Sequence, residues 1–334
     1  MLIDIYTHVL PARFGEALVK SGNNPGMVGR MMSVTELHDF DARFRSMDRL
    51  GEYRQIISLP NPPIEDFAAP DKGNDYARIG NDLLADLVQR HPDRFPAFVA
   101  AVSLTDMEGA LAELERAVTQ LGARGVQLFT NIKGKPIAAA EFRPIFEAMA
   151  GYDLPVFLHP ARTSAMTDYP EEHVSRFEMW WCFGWPYETS VAMTRLALSG
   201  LFDKLPKLKI VTHHFGGMIP FFDKRIEGGL ASIGSRTRDE DYSGLLGTLD
   251  KPLLDYLHMF YADTALFGAG NGLQCGLDFF GTERTVFASD APFGPEGGAS
   301  YIRETMKVIA ALEIAESDKE KICHRNAQAV FKLP

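Results

Sequence analysis

Eight short runs of branched and aromatic apolar residues recur along the chain, and each predicts a buried strand. Most runs are continuously apolar and do not alternate with polar residues, which is typical of strands covered on both faces in a parallel sheet. The runs are Leu2–Tyr6, Gln55–Leu59, Ala97–Val102, Gly125–Phe129, Pro155–His159, Lys209–His213, Met259–Asp263 and Thr285–Ser289.

Amphipathic segments with a helical period separate these runs. In Asn74–Arg90, for example, Ile79, Leu83 and Leu87 recur on one face. Further helices are predicted over Met107–Leu121, Glu141–Ala150 and Tyr301–Leu312. Strand and helix alternate eight times, which predicts an α/β fold with an eight-stranded (β/α)8 TIM barrel rather than an open sheet. The 334 residues show no internal repeat and no shift of composition, so we expect a single domain over residues 1–334.

Two segments exceed the minimal connection between a strand and its helix. Residues 7–35 are rich in glycine and include Pro25, which predicts a loop, and residues 160–190 hold Trp180, Trp181 and Trp185. Both follow the carboxyl end of a predicted strand, so both should overhang the active-site face as a lid or a substrate wall. Packing at a subunit interface is an alternative role for the aromatic segment.

Histidines and an aspartate stand at the carboxyl ends of four predicted strands. His8 follows the first run, His159 ends the fifth, the pair His213 and His214 marks the end of the sixth, and Asp290 follows the eighth. In a parallel barrel these ends share one face, so the side chains should converge there. Imidazoles with a carboxylate suit zinc, and also manganese or iron. The ordinary alternatives are surface or hydrogen-bonded core histidines, and a helix N-cap for Asp290.

Strand geometry adds two expectations about orientation. Tyr6 and His8 are two residues apart, so both should face the mouth of the barrel. His213 and His214 are adjacent, so only one of them should point into the site, and spacing alone does not choose between them. Asp290 follows a largely apolar run, and a carboxylate buried there needs a cation or an imidazole as its partner.

Net charge and the lack of long apolar runs argue against several classes of partner. The formal net charge is -10, which disfavours binding to nucleic acid or to an anionic membrane. No run approaches the roughly 18 apolar residues of a membrane span, and the acidic Asp4 is unlike a signal peptide. The three cysteines are far apart in the sequence, so reduced thiols and a cytoplasmic location are expected.

Several longer segments carry a family resemblance. They are G-W-P-Y-E-T-S from Gly184, R-L-A-L-S-G from Arg195, P-K-L-K-I-V-T-H-H-F-G-G from Pro206, and the closing R-N-A-Q-A-V-F-K-L. In this order and spacing the chain resembles the amidohydrolase superfamily, in the amidohydrolase-2 branch that contains aminocarboxymuconate semialdehyde, γ-resorcylate and 5-carboxyvanillate decarboxylases. The resemblance implies a distorted (β/α)8 barrel, one divalent metal ion (zinc or manganese) and a homodimer.

The resemblance also implies roles for individual residues. The metal ligands of the decarboxylases resemble His8, His159 and Asp290 here. The catalytic histidine of the family lies in an H-x-G element after the sixth strand. His214 matches this element, so it is favoured over His213 as the catalytic histidine.

Tyr6 is the main departure from the family. The wider family carries His at this position as a further metal ligand, and several aromatic-acid decarboxylases carry Glu. A neutral tyrosine is a poor ligand, since its ordinary pKa is about 10. The ion would therefore have fewer protein ligands, or be bound weakly by Tyr6, or be absent, as in a related lactone hydrolase thought to work without metal. At the barrel mouth Tyr6 would also contact the substrate.

The leading functional hypothesis is metal-dependent, non-oxidative decarboxylation of a small aromatic or dienoic carboxylic acid by a carboxy-lyase. Asp290 or His214 would deliver a proton to the carbon that bears the carboxylate. Arg162, and Arg225 by its family position, would pair with the negative charge of the substrate. Phe215 would stack on a substrate ring.

Two other classes of function stay open at this point. Hydrolysis of a lactone, amide or ester, or hydration of a double bond, would use the same residues with a water as nucleophile, either metal-bound or activated by His214. Release of CO2 against uptake of water into the product would separate these reactions. The third possibility is a non-catalytic barrel in which Tyr6 marks decay into a binding or scaffolding role.

Overall fold

The eight predicted strands form a barrel in the computed structural model, which describes residues 1–22, 25–234 and 241–333. Each strand overlaps one of the predicted apolar runs, so all eight predictions are confirmed. In chain order the strands are β1 Leu2–His8, β2 Tyr53–Ser58, β3 in the two pieces Ala97–Phe98 and Ala100–Ala101, β4 Val126–Phe129, β5 Val156–His159, β6 Ile210–Thr212, β7 Tyr261–Asp263 and β8 Thr285–Val286. A short antiparallel hairpin of Asn131–Ile132 and Lys135–Pro136 follows β4.

Parallel pairing connects each strand to the next around the barrel. The first piece of β3 pairs with β2 and its second piece pairs with β4, so β3 joins the two halves of the sheet. The two ends meet where Ile5 N–H donates to the carbonyl oxygen of Phe287 at 3.0 Å and His8 N–H donates to that of Ala291 at 2.7 Å. The ring of strands is therefore closed, as in the predicted distorted (β/α)8 barrel.

Two apolar clusters hold the barrel from inside and from outside. Ile56, Val211 and Val286 of three different strands belong to the inner cluster. Phe331 of the last helix packs against Phe157 with ring centroids 5.5 Å apart, so it fills the barrel from the end opposite the strand carboxyl termini. A larger outer cluster lies between the strands and the surrounding helices. This packing leaves the carboxyl-terminal end of the barrel for polar side chains.

Helices alternate with the strands and cover the barrel. The four predicted helices are confirmed with small shifts of their ends, and Asp106 caps the second of them by accepting a hydrogen bond from Gly109 N–H. None of the described helices combines the length and the apolarity that crossing a membrane would require. The α-helices are Ala12–Ser21, Pro25–Met32, Phe40–Asp48, Ile64–Phe67, Gly73–Arg90, Met107–Thr119, Arg143–Tyr152, Met179–Cys182, Gly184–Leu198, Leu201–Lys204, Asp223–Leu230, Leu253–Leu257, Gly270–Phe280, Ala299–Ala311, Glu316–Glu320 and Asn326–Phe331.

The prediction of a loop over residues 7–35 is wrong, because the helices Ala12–Ser21 and Pro25–Met32 occupy most of this segment. The residues that indicated a loop mark helix ends instead. Gly22 is a left-handed C-cap with φ 68°, and Pro25 is the first residue of the second helix. Residues 23–24 of the segment lie outside the described residues.

The segment over residues 160–190 is irregular as far as residue 178 and then enters the helix Met179–Cys182. Arg30 from the first insertion and Trp181 from the second line the same pocket as Asp290. Both insertions therefore lie over the carboxyl-terminal face of the barrel, as their positions after β1 and β5 predicted.

Candidate active site

Three buried imidazoles lie close together at the carboxyl-terminal end of the barrel. His8 ends β1, His159 ends β5, and His213 directly follows β6. Their relative exposures are 0%, 2% and 0%. The ring centroid of His159 lies 5.6 Å from that of His8 and 5.2 Å from that of His213. Strands that are far apart in sequence thus deliver three nitrogen donors to one place.

A shift of register in β1 turns Tyr6 and His8 toward this cluster. The pairing of β1 with β2 shifts between Asp4 and Thr7, and Tyr6 joins Ile5 in the inner cluster although the two residues are adjacent. A bulge of this kind re-aims side chains beside an active site. Tyr6 and His8 are both fully buried, and their ring centroids are 5.4 Å apart.

Hydrogen bonds at Nδ1 determine how each of the three rings presents its other nitrogen. Nδ1 of His8 donates to the carbonyl oxygen of Leu59 at 3.2 Å, and Nδ1 of His159 donates to that of the following residue at 2.7 Å. Nδ1 of His213 donates to the carboxylate of Asp263. These oxygens only accept, so in the neutral ring Nδ1 carries the proton and Nε2 offers a lone pair.

Asp290 turns both carboxylate oxygens toward imidazoles. Oδ1 lies 3.2 Å from Nε2 of His8 and 3.5 Å from Nε2 of His213, and Oδ2 lies 4.0 Å from Nε2 of His214. Two ligand atoms that are each about 2.1 Å from a metal ion lie about 3.4 Å apart at a tetrahedral angle. Each distance at Oδ1 therefore suits a pair of ligands on one ion, and among the described residues the ligand atoms of His213, His214 and Asp290 all lie within 4.8 Å of one another. Asp290 is not a helix N-cap, since the N-cap of the next α-helix is Gly298.

Both His213 and His214 approach Asp290, which corrects the expectation that only one of them would face the site. Strand β6 ends at Thr212, and His214 has a left-handed backbone with φ 53°, so the alternation of a strand no longer applies. The two ring centroids are 3.8 Å apart. Nδ1 of His214 is buried and has no hydrogen-bond partner, unlike Nδ1 of the other three imidazoles.

Burial and the two carboxylates distribute charge within the cluster. Burial lowers the pKa of His213, but the carboxylates of Asp263 and Asp290 outweigh this effect and raise that pKa to about 9. Burial and the neighbouring His213 lower the pKa of His214 to about 3 and also lower the pKa of His159. Burial would raise the pKa of Asp290, yet the adjacent imidazoles hold it below its usual range. Asp290 is therefore ionised beside a neutral His214.

His214 and Asp290 lie in the lining of a cavity of about 290 Å³. Arg30 is the single cationic residue among those that line it, and its guanidinium lies 5.0 Å from the ring centroid of Trp181. The aromatic part of the wall consists of Trp181, Trp185, Phe267, Phe293 and Tyr301. A flat ring with an anionic substituent suits a cavity with this lining.

Arg162 has its contacts in the loop after β5. Its Nη2 donates to the carbonyl oxygens of Met166 and Thr167 at 3.0 Å and 3.1 Å and lies 3.6 Å from the carboxylate of Asp168. Gly184 packs against the same side chain, because a Cβ at that glycine would lie 2.4 Å from Cδ of Arg162. The structure thus gives Arg162 loop contacts, and not the pocket contact that was predicted.

Phe215 packs into the core, which corrects its predicted contact with a substrate ring. It is 2% exposed and stacks on Phe280, with ring centroids 6.0 Å apart and an interplanar angle of 9°. Its ring also covers Gly276, where a Cβ would lie 2.6 Å from it. The left-handed backbone at Phe215, φ 52°, directs the side chain to this place.

Arg225 lies on the helix Asp223–Leu230 and lines a second groove of about 900 Å³ together with Tyr187. The residues that line the pocket of Asp290 do not include Arg225. The contact of Arg225 with substrate therefore remains a prediction. Tyr6 is likewise absent from the pocket lining, and its fully buried ring is stacked on His213.

Two members of the site were missed by the sequence analysis. Asp263 ends β7 after an apolar run, which is the same signal that singled out Asp290, so it could have been found. Arg30 gave no such signal, since it belongs to the segment that was predicted as a loop. Its place at the pocket depends on the helix Pro25–Met32 and on the contact with Trp181.

Comparisons with known proteins extend over nearly the whole chain. The family model described as amidohydrolase matches residues 3–333. The γ-resorcylate decarboxylase of Polaromonas sp. strain JS666 is 34% identical over 303 residues, which cover 88% of this chain and 87% of that protein. One solved structure is a dihydroxybenzoic acid decarboxylase from Polaromonas sp. JS666 with bound manganese and the inhibitor 2-nitroresorcinol. It is 28% identical to this chain with a TM-score of 0.77, and the match covers 99% of this chain and 96% of the solved chain.

A second solved structure is the 5-carboxyvanillate decarboxylase from Sphingomonas paucimobilis. It is 26% identical to this chain with a TM-score of 0.80, and the match covers 100% of this chain and 99% of the solved chain. The likeness therefore includes the barrel, both insertions and the strand ends that carry the site. With the family model matched from residue 3 to residue 333, this chain belongs to the amidohydrolase family.

Proposed function

We propose that this chain is a metal-dependent carboxy-lyase, which removes the carboxyl group of a small hydroxylated aromatic acid without oxidation. The observation that carries the proposal is the position of Asp290, whose Oδ1 faces the Nε2 atoms of His8 and His213 while Oδ2 faces His214. One carboxylate can thus serve a metal ion on one side and a proton transfer on the other. The relatives support the reaction class, since they are named decarboxylases of aromatic acids.

The residues present fit a divalent metal ion, either manganese or zinc. Nε2 of His8 is buried without a hydrogen-bond partner, and it points toward Oδ1 of Asp290. Buried polar atoms of this kind nearly always have a partner in native proteins. His8, His159 and Asp290 would hold the ion, which when bound would offset the negative charge of a substrate oxygen.

Asp290 and His214 would handle the proton. Neighbouring imidazoles keep Asp290 ionised, so this carboxylate must be protonated before it can act as an acid. Its Oδ2 takes up that proton from a phenolic hydroxyl of the substrate or through His214. Oδ2 then delivers that proton to the ring carbon that bears the carboxylate. The bond from this carbon to the carboxylate breaks, its electron pair restores the aromatic ring, and CO2 leaves. The lowered pKa of His214 keeps its ring neutral and able to relay a proton.

The pocket wall would position the ring and select for an acid. Trp185 lies beside His214 with ring centroids 6.2 Å apart and planes 24° from parallel, which offers a flat surface next to the proton donor. Arg30 would pair with an anionic substituent of the substrate. The largely apolar wall would limit the access of water, as a reaction that protonates carbon requires.

The decisive experiment is turnover of 2,6-dihydroxybenzoate and related hydroxybenzoates in D2O. We expect release of CO2 and one deuterium at the ring carbon that carried the carboxyl group. Activity should be lost after metal removal by a chelator and should return with Mn²⁺ or Zn²⁺. If esters or lactones are cleaved with uptake of ¹⁸O from labelled water while no aromatic acid releases CO2, the proposal is wrong. Decarboxylation that survives complete metal removal would contradict the metal dependence alone.

A further inference from the structure

We propose that His213 is a metal ligand that is oriented by Asp263, and that it supplies the coordination that Tyr6 is unsuited to give. The inference rests on the proposed function, because it concerns the same metal ion. It assigns His8, His159, His213 and Asp290 to the ion and leaves His214 for proton transfer.

The first argument is the position of an unused nitrogen. His213 is 0% exposed, and its Nε2 is buried without a hydrogen-bond partner. This atom lies 3.5 Å from Oδ1 of Asp290, and Nε2 of His8 lies 3.2 Å from the same oxygen. Both distances match the separation of about 3.4 Å between two ligand atoms of a tetrahedral site whose metal–ligand bonds are about 2.1 Å long. In the part of the chain that the structure describes, His213, His214 and Asp290 have ligand atoms that all lie within 4.8 Å of one another. Nε2 of His213 is therefore within reach of an ion that Asp290 holds.

The second argument is the carboxylate behind the ring. Nδ1 of His213 donates to Oδ2 of Asp263, and both side chains are fully buried. Metal-binding histidines commonly donate their other N–H to a carboxylate, which fixes the ring and makes it a better donor. Asp263 is itself held in place, since its Oδ1 accepts from Ala265 N–H at 3.0 Å. A histidine that served only for packing would not require a buried carboxylate at its Nδ1.

The third argument is the contrast between His213 and His214. His8, His159 and His213 each donate from Nδ1 to an acceptor oxygen, whereas Nδ1 of His214 has none. Nε2 of His214 is also farther from Asp290, at 4.0 Å. A ring without an anchor at Nδ1 can turn to relay a proton, but it is poorly fixed as a ligand.

The fourth argument is the role that remains for Tyr6. Its ring is stacked on His213 with centroids 3.9 Å apart, so it packs against one face of the imidazole. A stacking role needs the aromatic ring and not the hydroxyl group. Tyr6 would thus keep a ligand in place without being one.

The test is metal binding, measured independently of turnover. His213→Asn keeps an amide N–H near the position of Nδ1, so it can still donate to Asp263, but it lacks Nε2. We expect this variant to bind Mn²⁺ or Zn²⁺ at least about 10- to 100-fold more weakly in competition with a chelator, and Asp263→Asn to show a similar loss. The matched control is His214→Asn at the adjacent position, which should keep the metal affinity of the wild type although its turnover falls.

A measurement on the wild type guards against a variant that fails to fold. In the Co²⁺-substituted protein each coordinating imidazole with a proton on Nδ1 gives one exchangeable, paramagnetically shifted N–H resonance. Three such resonances support coordination by His213 together with His8 and His159, and two contradict it. Folded His213→Asn with wild-type affinity would also overturn the inference while the proposed function stands. A wild-type protein that takes up no metal would remove both the inference and the metal dependence.

Discussion

Tyr6 and His213 lie face to face, with ring centroids 3.9 Å apart and an interplanar angle of 13°. The first belongs to the bulged end of β1, and the second follows β6. The position at which the family places a metal ligand thus holds a ring that supports a nearby imidazole. This pair links the main departure from the family pattern to the imidazole that we propose as a replacement ligand.

Removing the hydroxyl group of Tyr6 should leave the site intact. Oη of Tyr6 is buried without a hydrogen-bond partner, so Tyr6→Phe should keep the stack on His213 and raise the free energy of unfolding by up to about 1 kcal/mol. Metal content should stay at the wild-type level. Urea unfolding and elemental analysis check both points. A Tyr6→Phe protein that purifies without metal would show that the hydroxyl oxygen is a ligand after all.

Removing the charge of Asp290 should abolish turnover. Asp290→Asn cannot carry a proton at Oδ2, so kcat should fall by about 1,000-fold or more. The thermal unfolding midpoint measures whether the fold is intact, and Asp93→Asn on an exposed carboxylate is the control. Substantial residual activity in a folded Asp290→Asn protein would remove this residue from its assigned role.

Arg30 should contribute to substrate binding. Arg30 lines the pocket and is the single cation in its lining, so Arg30→Gln should raise KM for an anionic substrate by about 10- to 100-fold with little change in kcat. Arg30→Lys keeps the charge and should recover part of the loss. Steady-state kinetics of the wild type and of both variants test this prediction. An unchanged KM in Arg30→Gln would exclude a contact between Arg30 and the substrate.

Arg162 should contribute to stability and not to substrate binding. Its guanidinium donates to two loop carbonyl oxygens, so Arg162→Gln should lower the free energy of unfolding by about 1–2 kcal/mol while KM changes little. Denaturant unfolding and kinetics on the same preparation give both numbers. A large rise of KM without loss of stability would restore the role that was predicted from the sequence.

Stability should depend on pH through Glu65, which is buried. Its Oε1 accepts from Leu104 N–H at 2.6 Å while Oε2 has no partner, and burial raises its pKa from 4.5 to about 7. Between these values the folded protein binds more protons than the unfolded chain, so this carboxyl makes unfolding easier as pH rises from 4.5 to 7, by up to about 3 kcal/mol.

The variant Glu65→Gln removes this titration. Relative to the wild type, it should be more stable at pH 8 than at pH 4.5, because its amide stays neutral in both states. Unfolding by urea at several pH values measures the difference, with Glu16→Gln on the exposed face of the first helix as control. A stability difference that does not change between pH 4.5 and 8 would show that Glu65 keeps its ordinary pKa in the folded protein.

Local sequence patterns were sufficient to predict those elements in which successive residues have the same kind of environment. A parallel strand buried on both faces must be apolar at every position, so the run at Pro155–His159 predicted β5 almost to the residue. The prediction for residues 7–35 was wrong because the role of a glycine or proline depends on where it lies relative to a helix. Its glycines and Pro25 were interpreted as breaks within a loop, although Gly22 and Pro25 occupy the end of one helix and the start of the next.

The sequence by itself determined the barrel and the residues at its strand ends. His8, His159 and Asp290 were found because parallel strands bring their carboxyl ends to one face, whatever the details of packing. The tertiary structure alone decided that His213 approaches Asp290 as well as His214 does, that Asp263 accepts a hydrogen bond from His213, and that Arg30 reaches the pocket. These contacts join side chains from different strands and insertions, and their geometry is set by the packing of the whole barrel, which no local period encodes.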